Sequence, residues 1–227
     1  YIGNSEIRSK RKQQLFFDPS QPAVDVPAIY SVALATKTDI KKAVKIAKND
    51  PEQWRHTTLS ERHELLSGAA LNMRKRRGDL IGAAASVCGK TFYESDPEIS
   101  EAIDFIEYYP HSLRLMEQQT SLKLSPLGVV LVIPPWNFPI AIPTGGVAAA
   151  LACGNSVLFK PSPLAFPLGA EIAKCFWDAG IPREALQLVC SENGEPIQML
   201  SGHPDVDSII FTGGTQTALK LLEKNPY

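Results

Sequence analysis

The feature that most constrains this chain is the run from residue 124 to residue 159, which contains no charged side chain although 21% of all residues are charged. A run of this length is sufficient to span a bilayer. Its segment PPWNFPIAIP, residues 134–143, contains four prolines, which remove backbone donors and break helices. Asn137 and Asn155 would also need hydrogen-bonding partners in lipid. The run therefore predicts a buried strand, a loop and a buried helix, and we expect no membrane-spanning segment.

The overall composition excludes some classes of partner. The chain has 227 residues, of which 44% are hydrophobic, enough to bury a large core. Lys and Arg number 23 and Asp and Glu 24, which gives a net charge of −1. Such a balance provides no general attraction to nucleic acid or to an anionic membrane. We therefore expect neither as a partner.

The cysteines do not form the patterns of a disulfide framework or a metal site. The four cysteines, Cys88, Cys153, Cys175 and Cys190, are dispersed without a CxxC pair, and the four histidines are scattered. This usage predicts no metal site and favours a reducing, cytoplasmic compartment. The first residues, YIGNSEIRSKRKQQ, also lack the apolar core of a signal peptide.

The first part of the chain predicts an extended segment followed by helices. Residues 1–36 indicate the extended segment, with a strand at 29–35, and residues 37–125 indicate a helical part that packs on the rest. Thr38 is the predicted N-cap of the first helix, 39–50, and a second helix is expected to start near Ser60. The remaining two are a helix at 78–90 that Gly89 ends, and one that begins at Asp96-Pro97 and is stopped or kinked by Pro110.

Beyond residue 125 the pattern changes to an alternation of strands and helices. Apolar strands are predicted at 129–133, 156–160, 186–189 and 207–211, and helices at 144–154, 164–180, 195–202 and 215–224. This alternation is typical of an α/β fold with a parallel, Rossmann-like sheet and crossover helices. Residues 126–227 are therefore interpreted as one parallel α/β part.

Polar or glycine-rich positions follow each predicted strand. Asn137 follows the first strand and Lys160 ends the second, while 191–194 and 212–214 follow the others. Ligands bind at the carboxyl ends of strands in such sheets, and helix N-termini there suit phosphates. Gly145-Gly146 is expected to open the first of these helices. Neither GxGxxG nor GxxxxGK[ST] is present, so the residues alone predict a nucleotide site with one amide donor.

Three segments resemble the aldehyde dehydrogenase superfamily. The stretch LGVVLVIPPWNFPIAIPTGGVAAALACGNSVLFKPS, residues 127–162, resembles the superfamily's PWNFP and GN-x-V-x-x-KP signatures. FTGG at 211–214 matches its FTG[SG] turn, and GKTFYESDPEISEAIDFIEYY at 89–109 is similar to its N-terminal helices. The resemblance is strongest to the branch that oxidises glutamate γ-semialdehyde, the 1-pyrroline-5-carboxylate dehydrogenases.

The resemblance implies oxidation of a small aldehyde with NAD or NADP, through attack of a cysteine thiolate, hydride transfer and hydrolysis of the thioester by water that a glutamate activates. It implies that Asn137 donates its side-chain N–H to the oxyanion, in a pocket that apolar neighbours keep dry. Lys160 is expected to bind the adenosine ribose. The remaining predicted cofactor-binding residues are Ile133, Trp136, Ser162, Pro163, Gly194, Gly213 and Gly214, the last two facing the pyrophosphate.

The chain departs from the family's pattern in two ways. It contains neither the GQ-x-C motif of the nucleophile nor the ELGG-type motif of the base, so we expect the N-terminal half of a homo-oligomeric enzyme, inactive without its catalytic domain. Pro163 stands where NAD-preferring members usually carry glutamate, which leaves the choice between NAD and NADP open.

Other interpretations remain for single residues and for the whole chain. Without its motif, Asn137 would be a turn residue that bonds its own backbone, and Lys160 a surface lysine at a strand end. Cys190 lies near the predicted site but has no adjacent base, so it is interpreted as a small apolar residue, and the other cysteines as core residues. The alternative function is a stand-alone nucleotide-binding or regulatory module without catalysis.

Overall fold

A computed structural model describes residues 1–7, 11–21, 25–119 and 123–224 of the chain. Its strands are β1 (Gln13–Phe16), β2 (Tyr30–Ala33), β3 (Val129–Ile133), β4 (Ser156–Phe159), β5 (Leu186–Leu188) and β6 (Ser208–Phe211). Its helices are α1 (Lys37–Asn49), α2 (Leu59–Lys75), α3 (Arg77–Cys88), α4 (Phe92–Glu117), α5 (Ala141–Ala152), α6 (Phe166–Trp177), α7 (Glu195–Ser201) and α8 (Thr215–Lys224). Short 3-10 turns lie at Trp54–His56 and Pro163–Ala165. Over the described ranges, every helix is too short or too polar to cross a membrane.

The main sheet confirms the predicted parallel α/β fold. Four strands lie in the order β5-β4-β3-β6, and each neighbouring pair is parallel. The central strand β3 pairs Val132 with Phe159 of β4 and with Ile210 of β6. Since the strands run the same way, their carboxyl ends share one edge. β1 and β2 form a separate antiparallel pair.

Helices cover both faces of the parallel sheet. All of β3 is buried, and its successive side chains enter two different apolar clusters. Val130 and Val132 pack with α2 to α6, whereas Val129, Leu131 and Ile133 pack with α1, α7 and α8. This explains why the strand is apolar at every position instead of at alternate positions. The predicted division at residues 36 and 125 falls between secondary-structure elements.

Two predicted helix starts were wrong, by two residues in α1 and by five in α4, and side-chain caps explain both. Thr36, not Thr38, caps α1: its hydroxyl accepts from Asp39 N, and the Asp39 carboxylate accepts from Thr36 N. In α4 the same reciprocal capping box joins Thr91 and Glu94, so the helix begins a turn before Asp96-Pro97.

Pro110 neither ends α4 nor marks its boundary. The helix contains this proline and continues to Glu117. Pro110 is itself buried, and the same helix buries Ile99, Ile103 and Ile106 against its neighbours. Packing of this apolar face outweighs the loss of one backbone hydrogen bond, which is why Pro110 does not stop the helix. The kink predicted as the alternative stays a prediction.

The glycine pair at 145–146 lies inside α5 and not at its start, which corrects the prediction that it frees a helix terminus for phosphate. The helix begins at Ala141. A Cβ at Gly145 would lie 3.0 Å from Phe105 Cδ2, and one at Gly146 would lie 2.9 Å from Val132 Cγ1. These glycines therefore allow α5 to pack closely against α4 on one side and against the sheet on the other.

Candidate active site at the carboxyl edge of the sheet

One cavity of about 970 Å³ lies at the carboxyl edge of the parallel sheet. Its walls come from the segments that follow β3, β4 and β5 and from the β6–α8 turn, together with α7 and α8. All of the predicted site residues line it: Ile133, Trp136, Asn137, Lys160, Ser162, Pro163, Gly194, Gly213 and Gly214. The topology thus brings together residues that are far apart in the sequence, and what each of them does remains a prediction.

Lys160 is a buried cation in the wall of this cavity. Only 1% of its surface is exposed, and burial lowers the pKa of its ammonium group to about 8. Its Nζ donates to Pro161 O and to Asn193 Oδ1, both at 3.3 Å. An ammonium group has three N–H donors. Within the described part of the chain two of them are used in these hydrogen bonds, which leaves the third for a ligand. The interpretation of Lys160 as an exposed surface lysine is therefore wrong.

Three glycines that line the cavity, Gly194, Gly213 and Gly214, have different reasons for being glycine. Gly194 has φ +88°, which disfavours other residues, and a Cβ there would meet nothing within 4 Å. A Cβ at Gly214 would also meet open space, whereas one at Gly213 would lie 2.6 Å from Phe211 Cζ. Gly214 immediately precedes α8, whose first backbone N–H groups have no partner within the helix. Gly194 and Gly214 thus leave room for a ligand beside a helix N-terminus.

Asn137 lies in the bend between β3 and α5. Its side chain is exposed and forms no hydrogen bond within the described residues, so the turn-residue interpretation lacks its local bond. Trp136 and Phe138 are 54% and 47% exposed. The described residues therefore leave the amide open to solvent, and the dry pocket that the resemblance implies for the intact protein stays a prediction.

The backbone of this bend is held from α4 and from the loop before it, which sequence reasoning missed. Lys90 Nζ donates to Asn137 O at 3.2 Å. Glu98 Oε1 accepts from the backbone N of Ile140 and Ala141, at 2.7 and 3.0 Å. No spacing in the sequence links residues 90 and 98 to this bend, since the link arises from the packing of α4 on α5.

Asn193 was also missed as a wall residue, although it lies within the segment predicted to follow β5. It is the side chain that accepts from Lys160. Further wall residues that were not predicted come from α7 and α8: Ile197, Gln198, Ser201, Thr217, Lys220, Leu221 and Glu223. Their recurrence every three or four residues along the two helices could have indicated a shared face.

The cysteines are poor nucleophiles as they stand. Burial raises the pKa of Cys190 to about 12 and that of Cys88 and Cys175 to about 11, and it also raises the pKa of Cys153. A thiol with such a pKa is almost wholly protonated at neutral pH. The core interpretation holds for Cys175 and Cys190, but Cys88 is partly exposed and Cys153, at the end of α5, is exposed.

Comparisons with known proteins place this fold in one family. The aldehyde dehydrogenase family model matches residues 9–226. Bifunctional protein PutA of Escherichia coli (strain K12) is 36% identical over 204 residues, which cover 90% of this chain and 15% of that protein. The 1-pyrroline-5-carboxylate dehydrogenase of Bacillus pumilus (strain SAFR-032) is 30% identical over 213 residues, which cover 89% of this chain and 41% of that protein.

A solved structure agrees with these sequence matches. The 1-pyrroline-5-carboxylate dehydrogenase from Thermus with bound NAD has a TM-score of 0.89 and 31% identity, and the match covers 99% of this chain and 45% of that one. The chain therefore spans less than half the length of each of these relatives. Because the family model matches nearly all of the chain and the fold agrees, this chain belongs to the aldehyde dehydrogenase family.

Proposed function

We propose that this chain is the cofactor-binding, N-terminal half of an NAD(P)-dependent aldehyde dehydrogenase, which oxidises an aldehyde to a carboxylic acid through a cysteine thioester. The observation that carries this proposal is the single cavity that collects every predicted site residue from four strand ends. Glutamate γ-semialdehyde is the proposed substrate, because relatives of this chain are named 1-pyrroline-5-carboxylate dehydrogenases.

The residues around the cavity fit a nicotinamide dinucleotide. Its volume of about 970 Å³ is at the upper end of the range for ligand pockets, as a long cofactor requires. Lys160 has a donor available for the ribose hydroxyls, while Gly214 and the start of α8 offer backbone N–H groups and space to a phosphate. Ile133 and Trp136 supply an apolar wall.

Asn137 is the proposed electrostatic catalyst of the chain. A bound nicotinamide cofactor would supply the acceptor for the hydride that the oxidation releases. The Asn137 side chain has no local partner and lines the same cavity, so its N–H is free to donate to the oxyanion. A neutral donor stabilises that developing charge without a counter-ion. The cover that dries the bend would come from outside the described residues.

The test is an assay of the natural polypeptide that contains this chain. It should be purified and tested with a panel of aldehydes, including glutamate γ-semialdehyde, and with NAD and NADP. We expect cofactor-dependent formation of the acid. Cofactor binding with no aldehyde oxidised would instead support the nucleotide-binding or regulatory module, and absence of both would contradict the proposal.

The 227-residue chain alone should oxidise no aldehyde. Its four thiols all have raised pKa values, and none lies in a GQ-x-C motif. The check is the rate of NADH formation by the purified chain, alongside the Cys190→Ala variant. Turnover that disappears on replacing Cys190 would show that this buried thiol is the nucleophile after all.

Pro163 should relax the preference for NAD in the intact enzyme. It lines the cavity next to Ser162, and a glutamate at this position would place a carboxylate against the ribose, where it repels a 2′-phosphate. Pro163→Glu is therefore expected to raise the ratio of kcat/KM for NAD to that for NADP by about 10-fold or more. Pro163→Ala, which removes the proline without adding a carboxylate, is the matched control. An unchanged ratio in Pro163→Glu would contradict this role.

A further inference from the structure

Glu98 is a buried carboxylate, and both of its oxygens accept hydrogen bonds from neighbouring residues. Its side chain is 1% exposed, and it projects from α4 to the start of α5. One oxygen, Oε1, accepts from the backbone N of Ile140 and of Ala141 at 2.7 and 3.0 Å. These are the first N–H groups of α5, where a negative charge is favoured by the helix dipole. Glu98 therefore fixes where α5 begins, four residues after Asn137.

Lys90 completes the arrangement from the loop before α4. Its Nζ donates to the other carboxylate oxygen of Glu98 at 2.7 Å and to Asn137 O at 3.2 Å. The same ammonium lies 4.6 Å from the centroid of the Phe138 ring, a cation–π distance. Its side chain is 12% exposed. One cation thus contacts both the carbonyl of Asn137 and the ring of the next residue.

The bend that presents Asn137 is therefore fixed at two points. Lys90 holds the carbonyl of residue 137, and Glu98 holds the amides of residues 140 and 141. The short link between these points contains Pro139, which is buried and has a restricted φ. The side chain of Asn137 itself is left uncommitted and faces the cavity.

A buried ion pair is costly unless it is fully hydrogen-bonded, and apolar packing could replace it at similar stability. Here both charges are used to hold the backbone around one exposed amide. An oxyanion donor must be placed within a few tenths of an ångström to be effective. The need for accurate placement explains why a buried ion pair, Lys90–Glu98, holds the backbone here instead of apolar packing.

We propose that Glu98 and Lys90 are positioning residues that orient Asn137 for catalysis; this inference rests on the proposed role of Asn137. In the natural polypeptide, Glu98→Gln and Lys90→Met should each lower kcat by about 10- to 100-fold. Lys90→Met removes the donor to Asn137 O. Glu98→Gln can still accept from the amides of residues 140 and 141, but its NH2 group then faces the Lys90 ammonium and displaces it from that carbonyl. Cofactor affinity should stay within about two-fold, since neither residue lines the cavity. Lys90→Arg should recover most of the lost rate, because its guanidinium keeps the charge and the donors.

Arg62 provides a matched control, because it lies in α2 and binds the carboxyl end of α5, whereas Glu98 binds the start of α5. It is 7% exposed, and its Nε donates to Ala152 O at 2.8 Å, at the end of α5. Arg62→Met should lower the melting temperature as much as the Glu98 and Lys90 variants do, yet leave kcat unchanged below that temperature. Equal losses of kcat in Arg62→Met would show that the ion pair acts through the stability of α5 alone, and would overturn the proposal.

A double-mutant cycle separates this inference from the proposed function. If Glu98 acts through Asn137, adding Glu98→Gln to Asn137→Ala should cost no further rate, whereas independent roles would give additive losses. Normal kcat in Asn137→Ala would refute the proposed role of Asn137, on which this inference rests. A slow Asn137→Ala with normal kcat in Lys90→Met and Glu98→Gln would refute only the positioning role. Should Glu98→Gln fail to fold, Lys90→Gln carries the same test, because it leaves Glu98 bonded to both amides.

Discussion

Replacing Asn137 by alanine is expected to slow the single-turnover rate of the natural enzyme by about 10²- to 10³-fold, the loss typical of removing one oxyanion donor. Cofactor affinity should change little, because the amide acts on the oxygen that becomes charged in the transition state. Asn137→Asp should be slower still, since a carboxylate would face the developing oxyanion. The measurements are rapid-quench single turnover and equilibrium binding of the cofactor.

The melting temperature distinguishes this role from that of a turn residue. A side chain that stabilised its own bend would contribute about 1 kcal/mol to the free energy of unfolding and nothing to the rate. The Asn137 side chain is exposed and forms no such bond in the described chain, so the melting temperature of Asn137→Ala should match the wild type. A destabilised variant with a normal single-turnover rate would contradict the catalytic role.

Lys160→Met is expected to weaken cofactor binding by at least about 10-fold while it stabilises the fold. A lysine whose pKa falls from 10.5 to about 8 on burial carries an electrostatic cost of up to roughly 3 kcal/mol at neutral pH. Methionine fills a similar space without that cost. A residue kept for structure would show the opposite result, with lower stability and unchanged cofactor affinity.

The pH dependence gives this prediction a definite sign. Between about pH 8 and pH 10.5 the unfolded chain binds the Lys160 proton and the folded chain does not. The contribution of Lys160 to the free energy of unfolding is therefore most unfavourable below about pH 8 and is relieved as the pH rises through this window. The stability advantage of Lys160→Met should shrink accordingly in urea titrations at increasing pH. Asn193→Ala, which removes one of the two acceptors of Lys160 but keeps the lysine itself, is the control.

The parallel sheet was predictable because short, wholly apolar strands alternate along the chain with segments of helical periodicity. A strand buried on both faces must be apolar throughout, and VVLVI packs its alternate residues into two clusters. Parallel strands also require crossover helices, and the intervening segments had helical periodicity. Because the carboxyl ends of parallel strands share one edge, the residues next to them, Asn137, Lys160 and the glycines, line one cavity there.

Features that depend on tertiary packing could not be predicted in the same way. The capping boxes at Thr36 and Thr91 compete in the sequence with other start signals nearby, Thr38 and Asp96-Pro97, and only the folded structure shows which cap forms. Glu98 and Lys90 reach the bend only because α4 packs on α5, a contact that no sequence spacing encodes. The exposure of Asn137 likewise depends on which residues cover the bend.

The most direct test of the proposed cofactor site is a crystal structure of the natural polypeptide in complex with NAD. The account predicts the adenosine ribose within hydrogen-bonding distance of Lys160 Nζ, the pyrophosphate beside Gly214 and the start of α8, and the nicotinamide on the side of Asn137. A cofactor bound elsewhere, or bound in this cavity with the ribose away from Lys160, would contradict it.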